Sequence, residues 1–183
     1  MSENIKSIVN LHDLLDYDAG KFISAEIHLK KSLDEWLFVA SALKLKGVLQ
    51  KYLDYVQQHV RNMEGFFEEE KFAANSQECP IMMSFIEETN RKLSKCSDAA
   101  VKDACLLASI QAINHYKIST YGTAASFAKK LEMEKHAEMF HEAEINEKQV
   151  DDRLSQLAEH EINALAQSNI KLEDWHGSFP RSG

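Results

Sequence analysis

Ile113-Asn114-His115-Tyr116-Lys117-Ile118-Ser119-Thr120-Tyr121-Gly122-Thr123 breaks an otherwise apolar helical face with large polar side chains. Upstream of it, Val101, Ala104, Leu107, Ile110 and Gln111 recur at three- and four-residue steps. Positions 114, 115, 117 and 118 therefore fall on or beside the buried stripe of a helix. A histidine and a lysine buried there without partners would cost several kcal/mol, so other helices are expected to present matching acceptors.

The rest of the composition fits a chain of helices. A length of 183 residues suits one domain with a sizeable core, and six glycines and two prolines leave few chain-breakers. The net charge of −8, from 29 acidic and 21 basic residues without a basic block, argues against nucleic acid or an anionic membrane as a partner. Cys79, Cys96 and Cys105 show no Cys-x-x-Cys spacing and are odd in number, so reduced thiols are expected in place of a disulfide framework or thiolate zinc site. Met1-Ser2-Glu3-Asn4-Ile5-Lys6 lacks the apolar core of an export leader, and no apolar run approaches the roughly 18 residues of a membrane span. A soluble, cytoplasmic protein is the expectation.

Working outward, residues 1–10 read as a lead, 11–167 as a helical bundle and 168–183 as a tail. The first helix runs from about Leu11 to Ser32 after an Asn10 cap, carries Asp18 and Glu26 on its apolar face, and gives way to a break near Ser32-Leu33-Asp34-Glu35-Trp36. A second spans about Ser41 to Lys71, with His59 as the polar intruder in a stripe of Leu49, Tyr52, Val56, Met63 and Phe66. The stretch from Phe72 to Pro80 reads as a loop, and Ile81 to Leu93 as a short crossover helix. Ser97-Asp98 caps the third long helix, which reaches about Leu131. Gly122 inside it implies a close neighbour. The last long helix covers about Glu134 to Gln167 with Glu147 in mid-stripe and Asp151 one turn on, and Trp175 is a candidate to dock the tail.

Four long helices and a crossover make a helix bundle the economical architecture, and each long helix sets an acid or imidazole in its stripe: Glu26, His59, His115 and Glu147. Facing carboxylates and imidazoles at a bundle centre are how ferritin-like proteins hold two iron or manganese ions. The Glu-x-x-His pair expected on two helices of such a site is missing, because residue 56 is Val and residue 112 is Ala. Carboxylates at the edge of the stripe and hydrogen-bonded core imidazoles remain alternatives to ligands at these positions, with His28, His136 and His141 as spare candidates. Tyr55, Tyr116 and Tyr121 read as hydrogen-bonding tyrosines.

Ser24-Ala25-Glu26, His115-Tyr116 with Tyr121-Gly122-Thr123, and Glu147-Lys148 followed by Asp151 are the parts by which the chain resembles the YciE/YciF family of bacterial ferritin-like stress proteins, over roughly Leu11 to Gln167. The resemblance implies an all-α, ferritin-like four-helix bundle with a short crossover helix between the second and third long helices. It also shows where this chain departs. The third-helix pattern Glu-His-Tyr-Glu-Ile-Ala-x-Tyr-Gly-Thr has both glutamates replaced, by Asn114 and Lys117. Tyr55 stands before His59 where the family often has Glu, and the paired Glu-Glu of the fourth helix is Asn146-Glu147.

These departures remove negative charge from the implied ligand positions and add a positive one. The surviving metal-ligand set is Glu26, His59, Glu147 and Asp151, with His115 as a further candidate; Tyr55, Asn114 and Lys117 are substituted site positions. The functional expectation is a stress-associated, non-catalytic bundle with a degenerate centre, acting as a homodimer or scaffold and holding one iron or manganese ion weakly or none. The competing expectation is an enzyme, a di-iron or di-manganese carboxylate protein that activates oxygen or peroxide. A sharper consequence is that the Lys117 ammonium occupies the centre between Glu26 and Glu147, supplying the charge that a metal supplies in relatives. A lysine that snorkels to solvent is the competing outcome.

Overall fold

The computed structural model describes residues 7–71 and 77–167, and among them the regular structure is entirely helical. Four long helices are α1 (Leu11–Val39), α2 (Leu43–Glu70), α4 (Ala99–Lys130) and α5 (Glu134–Leu157). A shorter helix, α3 (Pro80–Lys95), lies between the second and third, and α5 continues through one π turn (Ala158–Ile162) into α6 (Asn163–Gln167). Each long helix packs on two others to close a four-helix bundle: α1 on α2 and α4, and α5 on α2 and α4. The crossover helix α3 lies against α1 and α4. The expected tail at 168–183, with Trp175, most of the lead and most of the Phe72–Pro80 loop lie outside the described residues.

Local signals set most of the helix starts. Asn10 accepts the Asp13 N–H at 2.8 Å, Asp98 accepts those of Ala100 and Val101 at 2.9 and 3.1 Å, and Pro80 begins α3 where its missing N–H costs nothing. The Gly122 expectation holds too. A Cβ there would lie 3.2 Å from the Glu144 carboxylate on α5.

The break expected near Ser32–Trp36 is absent. Leu29, Leu33 and Trp36 continue the buried stripe of α1, and the Trp36 indole donates to Asn90 of α3 at 2.8 Å, so packing carries the helix on to Val39. The chain turns instead at Ala40–Ala42. There the buried carboxylate of Asp103, on α4, accepts the Ser41 N–H and hydroxyl at 2.8 and 2.5 Å and the Ala42 N–H at 2.8 Å. This single acid pins the tip of the α1–α2 hairpin to α4 and supplies the cap that Ala42 cannot. Asp103→Ala orphans three donors and is expected to cost about 2–4 kcal/mol by urea unfolding. A loss within 0.5 kcal/mol would show that water replaces the carboxylate there.

The apolar core falls into two clusters. One holds Leu29, Leu33, Trp36, Leu49, Leu53, Leu106, Ile110 and Leu154; the other holds Leu15, Phe22, Met63, Phe66, Ala124, Ala128 and Phe140. Between them, about four turns from each hairpin end, lies a layer of buried polar side chains.

A lysine-centred polar cluster as the candidate site

That layer is built from all four long helices. Glu26 comes from α1, Tyr52 and His59 from α2, Asn114, Lys117 and Tyr121 from α4, and Asn146 and Glu147 from α5. All are buried, and Asn114 and Glu147 expose nothing. The helical repeat explains the selection on α4: residues 114, 117 and 121 follow i, i+3, i+7 and share one face. His115 is turned about 100° from Asn114.

The Lys117 ammonium sits between the two acids, its Nζ 3.0 Å from Glu26 Oε2 and 2.5 Å from Glu147 Oε1. The aromatic rings of Tyr52 and Tyr121 flank it, with centroids 4.8 and 6.0 Å from Nζ. The other oxygen of Glu147 accepts from the Tyr52 hydroxyl at 2.8 Å and from the Asn114 amide at 2.6 Å. The other oxygen of Glu26 accepts from the Tyr121 hydroxyl. His59 faces both acids, its Nδ1 3.4 Å from Glu26 Oε1 and 3.6 Å from Glu147 Oε1, while Nε2 lies 3.4 Å from the Asn146 amide nitrogen. Carboxylates only accept, so Nδ1 is the protonated ring nitrogen in this arrangement.

The electrostatics follow from burial opposed by pairing. Burial pushes the Glu26 carboxyl up, but Lys117, His59 and the Tyr121 hydroxyl together outweigh it and hold it at about 2. Burial pulls Lys117 down, yet the two glutamates beside it leave it above its ordinary value of 10.5. Glu147 ends above the usual carboxylate range, because burial and the Glu26 charge exceed the help from Lys117 and His59. Tyr52 and Tyr121, buried and next to carboxylates, are pushed far up and stay protonated donors.

The sequence-derived ligand set divides cleanly. Glu26, His59 and Glu147 come together, with one donor atom from each lying within 4.8 Å of the others, so that by donor type and spacing they could hold one ion. Asp151 does not join them. It pairs with the exposed His115, Nε2 to Oδ1 3.3 Å, on the outside of the α4–α5 contact. A residue one turn beyond Glu147 is about 6 Å further along the axis and rotated, which is enough to carry it out of the layer. Tyr55 also lies outside the cluster, its hydroxyl donating to Gln149 at 3.0 Å. Of the spare histidines, His28 bonds the Ser24 carbonyl, His136 lies between Glu69 and Glu70, and His141 pairs with Glu144. Tyr52, unremarked in the sequence beyond its place in the α2 stripe, is the residue that reasoning missed; its spacing of seven from His59 places it on the same face.

A two-metal carboxylate centre does not fit these residues. The three candidate ligands fall short of the carboxylates that bridge two ions. Both glutamates are already paired with the Lys117 ammonium and accept from Tyr52, Asn114 or Tyr121, and an ion entering the cluster would meet the ammonium. The amide at 114 and the ammonium at 117 bring donors to the two acids, so the cluster carries its own counter-charge.

A family model described as a domain of unknown function, DUF892, matches residues 10–167. Protein YciF of Escherichia coli (strain K12) is 30% identical over 166 residues, covering 90% of this chain and 98% of that protein. The crystal structure of the E. coli stress protein YciF superposes with a TM-score of 0.79 at 27% identity, over 87% of this chain and 99% of that one. YcfI from Rhodopseudomonas palustris shares the fold, with a TM-score of 0.77 at 24% identity over 85% of this chain and 97% of that one. The matched span runs from the Asn10 cap through α6 and takes in the whole polar layer, and the chain belongs to the DUF892 family, in which it is a relative of the stress protein YciF.

Proposed function

We propose that this protein is a non-catalytic, stress-associated helical bundle whose centre is closed by an internal cation, Lys117, in the place where ferritin-like relatives gather carboxylates around metal. The observation that carries this reading is the Lys117 ammonium between Glu26 and Glu147, at 3.0 and 2.5 Å, while the second oxygen of each acid accepts from a buried tyrosine hydroxyl. The E. coli relative is a stress protein, which supports the stress association here. A homodimeric scaffold in the cytoplasm is the setting we assign to it. Among the described residues no helix is long and apolar enough to cross a membrane.

Metal analysis of purified protein, paired with oxygen consumption on adding ferrous iron, tests the reading. Fewer than one ion per chain and no oxygen uptake above the buffer rate are expected. Two tightly held ions per chain with rapid uptake would establish the oxygen- or peroxide-activating enzyme instead, with Glu26, His59 and Glu147 as ligands.

A further inference from the structure

A groove of about 530 Å³ lies between α2 and α5, and none of the residues lining it belongs to the lysine-centred cluster. Its size is within the range of small-molecule sites, about 300–1,000 Å³. Val48 and Val150 give it an apolar floor. Tyr55 forms a wall, its hydroxyl reaching from α2 to Gln149 on α5.

The charged residues that line the groove are all cations, Lys44, Lys51 and Arg153, on a chain whose net charge is −8. Lys44 is held at one end by Glu161 of the π turn, at 2.5 Å. Lys51 lies over the Tyr55 ring, 4.4 Å from its centroid, and Arg153 spends one nitrogen on Gln156 at 3.0 Å, with its other donors available to an anion. Gly47 also lines the groove. Glycine inside a helix is unfavourable, and here neither a positive φ nor a close neighbour requires it, since an added Cβ would meet nothing within 4 Å. What the missing side chain does is leave the groove open.

We propose that this groove is a binding site for a small amphipathic carboxylate, its apolar body laid over Gly47, Val48 and Val150 and its head between Lys51 and Arg153. A guanidinium beside apolar surface is suited to such a head, because it is weakly hydrated and pairs with carboxylate through parallel hydrogen bonds. The site stands apart from the bundle centre and does not depend on how that centre is read.

Calorimetric titration of the full chain with decanoate, below its micelle concentration, tests the assignment against decyltrimethylammonium, which has the same alkyl chain and the opposite charge. One decanoate per chain is expected, with no binding of the cation. Gly47→Leu, which projects a side chain into the groove, is expected to abolish binding without lowering the melting temperature, since leucine is the better helix former. Lys51→Glu and Arg153→Glu, on the surface, should each weaken it by at least about tenfold, the equivalent of one lost charge-assisted contact. No binding of decanoate to the wild type, equal binding of the cation, or undiminished binding to the two charge-reversed variants would overturn the proposal.

Discussion

Lys117→Ala is expected to destabilise the metal-free protein by about 3–5 kcal/mol, the usual consequence of removing one partner from a buried ion pair. At about 2–4 °C per kcal/mol for a chain of this size, the melting temperature by circular dichroism should fall by roughly 6–20 °C. The loss has a specific cause: Glu26 and Glu147, both within 1% of full burial, would face one another without the cation between them. Lys117→Met keeps most of the volume and should cost nearly as much, which separates charge from cavity. Combining Lys117→Met with Glu26→Gln and Glu147→Gln removes the charges together and should recover most of the stability. An unchanged melting temperature in Lys117→Ala would mean that the ammonium contributes nothing to the fold.

Acid is expected to weaken the bundle through Glu26 by about 3 kcal/mol, the worth of holding a buried carboxyl at about 2 against an ordinary 4.5. A depressed folded pKa means that this stability is fully present above pH 4.5 and disappears as pH falls through about 2. Lys117 has the opposite sign. Its folded value is raised, so its contribution is present below 10.5 and lost as the pH climbs past that higher folded value. Glu147, raised by burial, works against the fold when ionised, and acid relieves that strain in part. Urea unfolding of wild type and Glu26→Gln across pH 2–7 isolates the Glu26 contribution. The difference between them should be large at pH 7 and vanish towards pH 2; a constant difference would show that Glu26 is not held in its ionised form by the cluster.

How far the sequence reveals these features depends on the range of the forces involved. Helix starts at Asn10, Pro80 and Asp98 were legible because a cap is a contact between near neighbours in the chain. The α1–α2 turn was not, because its cap comes from Asp103, 62 residues away from Ser41. The π turn at Ala158–Ile162 was likewise hidden, since the apolar period of α5 continues across it.

At the centre, the stripe of each helix pointed to Glu26, His59 and Glu147, and the resemblance drew attention to the substitutions at 114 and 117. The Lys117 position between the acids, expected from charge compensation, is what the structure shows. His115 was assigned to the centre as the imidazole in the apolar stripe of its helix, and Asp151 through the motif that places it one turn beyond Glu147. A rotation of about 100° turns His115 away from Asn114, an axial step of about 6 Å takes Asp151 past Glu147, and the two pair with each other on the outer side instead. Tyr52 stayed hidden among the apolar residues of α2 because an aromatic at a stripe position shows only when its hydroxyl finds a buried acceptor, here Glu147.

The most direct test of the central claim is anomalous diffraction from crystals grown with excess manganese. The account predicts no anomalous peak among Glu26, His59 and Glu147, and continuous density from Lys117 reaching both carboxylates. A peak within ligand distance of those three residues, with the Lys117 side chain turned away, would contradict it.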